Sequence, residues 1–118
     1  MEVTKVNLFV YGTLLAGEPY HHLLGDAPLL GKARTQPGYI LINLGEYPGL
    51  QKGGSGSVHG EVYTINRSLL AVLDKYEDYP LLYDRILVPL DDGKTALTYI
   101  LRSTAPLPVI ESGDWQNR

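Results

Sequence analysis

Val58-His59-Gly60-Glu61-Val62-Tyr63-Thr64-Ile65 runs straight into Asn66-Arg67-Ser68-Leu69-Leu70-Ala71-Val72-Leu73-Asp74-Lys75-Tyr76. The first segment alternates well enough for a strand, and Asn66 then stands where a helix N-cap belongs. Behind it Leu69, Val72, Leu73 and Tyr76 recur at helical spacing, and Pro80 ends the pattern. This is the most complete helical signal in the chain.

Its surroundings read as strands. Val6 to Tyr11 is β-rich and nearly continuously apolar, a buried first strand stopped at Gly12. Leu29 to Thr35 and Tyr39 to Leu44 read as strands split by Pro37-Gly38, with a turn at Gly45 to Gly49. Arg85 to Leu90 and Thr95 to Arg102 form two more, joined by the hairpin signal Asp91-Asp92-Gly93. Gly17-Glu18-Pro19 opens a short helix carrying Tyr20 to Leu24, broken by Gly25 and Pro28. Gly53 to Ser57 is a flexible connection, and the tail from Pro106 to Trp115 is irregular. About six short strands around one good helix do not alternate regularly, which disfavours a doubly wound sheet. A compact mixed α+β barrel, with an antiparallel or mixed sheet, is expected over residues 1–118 as a single domain.

Bulk properties exclude several functions. A chain of 118 residues, 44% hydrophobic and 19% charged, suits one globular core. The net charge of −3, with Lys and Arg scattered among acidic residues, offers no positive face for a phosphate backbone, so no nucleic acid partner is expected. Cys is absent, which removes disulfides, thiolate nucleophiles and Cys-based metal sites. His21 and His22 are adjacent and cannot both face one metal from a helix, and His59 stands alone, so neither a metal nor a cofactor is expected. No apolar run approaches membrane-spanning length, and the first is too short for a signal core; a cytoplasmic location fits.

Two features can carry chemistry. Glu77 lies seven and four residues after Leu70 and Leu73, so on a continuing helix its side chain shares their apolar face. A carboxylate losing hydration there acquires a raised pKa suited to proton exchange near neutrality, whereas Asp74, Lys75 and Asp78 face solvent. The bland alternative is a helix that frays before Pro80 and leaves Glu77 wet. The second feature is Tyr11-Gly12-Thr13-Leu14, where a Gly after a buried strand lets the chain turn and expose successive N–H groups, a nest for carboxylates. Alternatively Tyr11 is core and Gly12 only ends the strand. Tyr83, close after Glu77, is a possible accessory; the other tyrosines read as core or rim.

Taken together, Phe9-Val10-Tyr11-Gly12-Thr13-Leu14, Gly60-Glu61-Val62-Tyr63 and Leu73-Asp74-Lys75-Tyr76-Glu77 resemble the γ-glutamylcyclotransferase-like family in order and spacing. Leu82-Tyr83-Asp84-Arg85 and Ser112-Gly113-Asp114-Trp115 extend the similarity over nearly the whole chain, nearest to the short γ-glutamylamine cyclotransferase-like proteins. The resemblance implies a small mixed β-barrel with flanking helices, a Tyr11 to Leu14 loop holding the glutamyl group, and Glu77 in the proton-transfer role. One departure is Tyr20, where many relatives have Asn.

The implied reaction is cyclisation of a γ-glutamyl amide to 5-oxoproline with release of the free amine. Both reactants sit in one substrate, so holding the α-amine within about 3–3.5 Å of the γ-carbonyl supplies much of the rate. A carboxylate then takes a proton from the amine and returns one to the departing nitrogen. The alternative is a non-catalytic module on the same fold that binds an acidic metabolite or a partner protein. Retention of Glu77 argues against it, because a buried carboxylate is costly to keep unused.

Overall fold

The computed structural model describes residues 4–118. Seven strands and one α-helix follow in the order β1 (Lys5–Val10), β2 (Leu29–Arg34), β3 (Tyr39–Asn43), β4 (Pro48–Lys52), β5 (His59–Asn66), α1 (Arg67–Tyr76), β6 (Tyr83–Pro89) and β7 (Thr95–Leu101). Five strands form one mixed sheet in the order β2-β5-β1-β7-β6. β1 is its central strand, antiparallel to β5 from Lys5–Asn66 to Val10–Glu61 and parallel to β7 at Leu8–Leu97. That position explains the unbroken apolar run, since Leu8, Phe9 and Val10 are all buried.

The architecture is mixed α+β, but the expected barrel is not closed. The edge strands β2 and β6 meet only beyond their ends, at a bridge between Thr35 and Leu90. There the Gln36 N–H donates to Pro89 O and the Asp91 N–H to Arg34 O, each at 2.9 Å. The right-handed twist of a five-stranded sheet brings one pair of corners together and leaves the other end splayed.

The splayed sheet is covered by a separate ribbon, β3 paired antiparallel with β4. β4 replaces the expected simple turn across Pro48-Gly49. Proline is tolerated there because it is the strand's first residue, and Leu50 behind it is completely buried. Gly49 lets the ribbon approach β7: a Cβ on it would stand 3.0 Å from Leu101 Cδ2.

Two further corrections concern helices. The segment after Pro19 makes only a 3-10 turn, His21–Leu24. α1 begins as expected, with the Asn66 side chain accepting the Leu69 N–H at 2.8 Å, but it stops at Tyr76 rather than at Pro80. The tail is irregular as expected, but it is anchored: Trp115 is buried, donates its ring N–H to Glu18 at 3.0 Å, and Gln116 donates to Ala16 O at 2.8 Å. The C-terminal residues thus tie down the segment that follows the Gly12 loop.

Candidate active site

At the C-terminal end of β1 the chain turns sharply, and Tyr11, Gly12, Thr13 and Leu14 form one wall of a cavity of about 520 Å³. The tip of the β3–β4 ribbon, Glu46 to Pro48, supplies a second wall, and Pro19, Tyr20, Tyr76, Glu77, Leu82, Tyr83 and Tyr99 supply most of the rest. A cavity of this size suits a small metabolite.

Glu77 is the C-cap of α1, its N–H donating to Leu73 O at 2.8 Å. That i→i−4 bond carries the last turn through Glu77, so its side chain leaves α1 in helical phase with Leu73. Its side chain lines the cavity, and behind it the chain folds tightly: the Tyr79 N–H returns to Asp74 O, and those of Leu81 and Leu82 to Asp78 O. Asp78 adopts φ +54°, a left-handed conformation that short polar side chains tolerate. Burial pushes the Glu77 carboxyl up to about 8. No Lys, Arg or His lines the cavity to oppose that shift.

In the loop, Gly12 has no left-handed φ; it is required by close approach. A Cβ there would stand 2.5 Å from Pro48 Cγ and 2.6 Å from Cδ. The Leu15 N–H closes a turn on Gly12 O at 3.0 Å, and the Tyr20 N–H reaches Thr13 O at 3.1 Å. Among the described residues, no protein acceptor takes the N–H of Gly12, Thr13 or Leu14. Such consecutive free donors suit an anion. Leu14 offers only its backbone, since its side chain is buried in the core. Thr13 Oγ1 shares a 2.5 Å hydrogen bond with the Tyr76 hydroxyl, tying the loop to the end of α1.

The tyrosines divide by commitment. Tyr11 faces the cavity, yet its hydroxyl donates to Tyr99 O at 2.7 Å and accepts the Leu50 N–H at 3.2 Å, so its oxygen is held as a structural clamp. Burial, then Tyr83 and Glu77, raise its pKa well above the ordinary phenol range. Tyr83 donates to Pro48 O at 2.6 Å and so holds the residue that presses on Gly12. Tyr11→Phe is expected to cost about 1–3 kcal/mol by leaving the buried Leu50 N–H without its acceptor. Urea unfolding should show that loss, with turnover per folded molecule changed less than threefold.

Asp74 does not face solvent as the pattern suggested. It accepts the Tyr99 hydroxyl at 2.8 Å and lies 3.6 Å from Arg85 Nε, which orients Tyr99 in the cavity wall. These partners come from β6 and β7, distant in sequence, so helical periodicity carried no sign of them. The other residue without an assigned role was Glu61. It is buried beneath the loop, where one carboxylate oxygen accepts the Ala16 N–H at 3.0 Å and the Tyr63 hydroxyl at 2.9 Å. Its presence in the Gly60 to Tyr63 motif was the available signal.

Residues 8–117 match the family model described as gamma-glutamyl cyclotransferase, AIG2-like. The chain belongs to the γ-glutamylcyclotransferase family. A Vibrio cholerae relative that carries the gamma-glutamylcyclotransferase name is 47% identical over 112 residues, covering 94% of this chain and 96% of that one. Gamma-glutamylaminecyclotransferase A of Danio rerio is 30% identical over 128 residues, covering 96% and 75%. The crystal structure of an AIG2-like protein from Mus musculus superposes with a TM-score of 0.81 at 29% identity, over 91% of this chain and 86% of that one. Membership in the γ-glutamylcyclotransferase family thus extends over β1, the Gly12 loop, α1 and the tail.

Proposed function

We infer that this γ-glutamylcyclotransferase family member cyclises a γ-glutamyl amide to 5-oxoproline and releases the amine, with Glu77 as proton acceptor and donor. The observation that carries the reading is one cavity lined both by Gly12 to Leu14, whose N–H groups meet no protein acceptor among the described residues, and by Glu77, whose carboxyl is raised to about 8. The relative from Danio rerio, named for action on γ-glutamylamines, supports an amide whose leaving group is an amine.

The loop N–H groups hold the substrate's α-carboxylate or the oxyanion that forms on the γ-carbon. Glu77 takes a proton from the α-ammonium, and the freed amine attacks the γ-carbonyl carbon to form the ring C–N bond. Glu77 then protonates the departing nitrogen as the amide C–N bond breaks. The ring nitrogen gives up its second proton to Glu77 as well, and that proton ends on the released amine, which departs as its ammonium; protons and bonds then balance without a covalent enzyme intermediate.

The pH dependence follows. With a pKa of about 8, roughly one Glu77 in ten is ionised at pH 7, and the fraction rises with pH. The reactive complex needs one proton shared between Glu77 and the substrate amine. kcat/KM should therefore rise as pH approaches about 8, and fall once the substrate ammonium itself is lost. Incubation with γ-glutamyl amides across pH 5–10, with 5-oxoproline quantified by NMR, tests both parts. A flat profile between pH 5 and 8 removes Glu77 from proton transfer. Binding of 5-oxoproline with no turnover of any amide would instead favour a binding module.

A further inference from the structure

Glu61 is a buried acidic residue that the proposed reaction does not use, 7% exposed and outside the cavity wall. β5 brings it under the start of the loop, because Val10–Glu61 is the last pair between β1 and β5. Gly60 permits that approach, since a Cβ there would collide with Val10 O and the Phe9 ring. Two residues on, Tyr63 stands on the same face of the strand. Its hydroxyl and the Ala16 N–H converge on one Glu61 oxygen, Oε1, at 2.9 and 3.0 Å.

Each carbonyl from Gly12 to Ala16 accepts a hydrogen bond, in turn from the Leu15 N–H, the Tyr20 N–H, the His21 ring, the Glu18 N–H and the Gln116 side chain. In a trans peptide the N–H points away from the C=O, so the engaged Gly12 and Thr13 carbonyls turn the N–H groups of Thr13 and Leu14 the other way. The first four of these bonds lie within residues 12–21, so they fix the shape of the loop and move with it. Its place against the sheet must be set from outside, and Glu61 supplies a buried acceptor on β5 for that purpose. Tyr63 reinforces the hold, since its ring also packs against His21 with centroids 5.8 Å apart. We propose that Glu61 is a positioning residue, which through Ala16 keeps the N–H groups of Thr13 and Leu14 aimed into the cavity that Glu77 lines. The role rests on the reading that those N–H groups hold the glutamyl group.

Two substitutions at one site test it. Glu61→Met nearly keeps the volume and deletes the acceptor, whereas Glu61→Gln keeps Oε1 and puts its amide nitrogen where Oε2 takes no hydrogen bond among the described residues. Isothermal titration with 5-oxoproline, scaled to the folded fraction, should show about tenfold weaker binding for Glu61→Met and binding within about threefold of wild type for Glu61→Gln. The pH midpoint of kcat/KM, set at Glu77, should not move in either variant, because Glu61 touches no reacting atom. Tyr63→Phe leaves the ring on His21, removes only the hydroxyl and should weaken binding about threefold; it decides the matter if Glu61→Met does not fold. Wild-type affinity in folded Glu61→Met, or in Tyr63→Phe where Glu61→Met is unfolded, makes Glu61 purely structural and leaves cyclisation standing. A loss in Glu61→Gln equal to that in Glu61→Met, or a shifted midpoint, overturns the positioning role as well. A wild-type protein that neither binds 5-oxoproline nor turns over any γ-glutamyl amide counts against cyclisation itself and removes the positioning role with it.

Discussion

Glu77→Gln is expected to fold, to retain 5-oxoproline and to lose turnover by about two to four orders of magnitude, the usual worth of a positioned proton-transfer group. The amide has the carboxyl's shape, and Glu77 is held in place through its backbone, by the N–H donated to Leu73 O, so the loop behind α1 has no reason to rearrange. A second readout separates this from general damage. The carboxyl is raised from 4.5 to about 8, so between those pH values the folded state holds a proton that the unfolded state has lost. Wild-type stability contributed by this group is therefore fully present below about pH 4.5 and is lost as pH rises to about 8. The variant lacks that loss. Relative to wild type, Glu77→Gln should gain stability on going from pH 5 to pH 9, on the order of 2 kcal/mol once screening through the open cavity is allowed for. Thermal melts of both proteins at the two pH values measure the difference. A variant that turns over within a few-fold of wild type would sink the mechanism, and one that shows no relative gain at high pH would show that the carboxyl is solvated.

Gly12→Ala should already impair ligand binding, and Gly12→Val should abolish it. The added Cβ would fall 2.5 Å from the Pro48 ring, far inside contact distance. Pro48 cannot simply retreat, because Tyr83 holds its carbonyl at 2.6 Å and its neighbour Gly49 is pressed against Leu101. The loop must then shift into the cavity or the ribbon must lift away, and either displaces the N–H groups of Thr13 and Leu14. We expect a stability cost of about 1–3 kcal/mol for Ala and more for Val, together with at least tenfold weaker 5-oxoproline binding in the molecules that remain folded. Thr13→Val should be milder, since it deletes a hydroxyl bonded to Tyr76 and leaves the backbone donors in place. Isothermal titration on variants checked by circular dichroism decides between the two roles of Gly12. Unchanged affinity in a folded Gly12→Val protein would make the loop purely structural.

Local chemistry was legible wherever one short segment determines its own conformation. Alternation and the Asn66 cap placed the β5–α1 junction, Asp91-Asp92-Gly93 placed the β6–β7 turn, and the apolar run of β1 marked a strand buried at the centre of the sheet. The same reading singled out Gly12 to Leu14 and Glu77, because a glycine after a buried strand and an acid beside an apolar face are local anomalies. It missed β4 because Pro48-Gly49 is a turn signal by itself and becomes a strand only by pairing with β3 and burying Leu50.

Tertiary structure decided the rest. Whether five strands close into a barrel depends on accumulated twist, and here the edges join only at Thr35 and Leu90. Glu77 keeps helical phase through its N–H to Leu73 O, but the stop of α1, the turn at Asp78 and the walls around the carboxyl come from the tertiary fold. Tyr11 became a clamp, Asp74 a support for Tyr99 and Gly12 a contact for Pro48 through partners between 25 and 88 residues away along the chain. Periodicity reports which face of an element is apolar, whereas the acceptor a hydroxyl will find depends on strands that meet only in three dimensions.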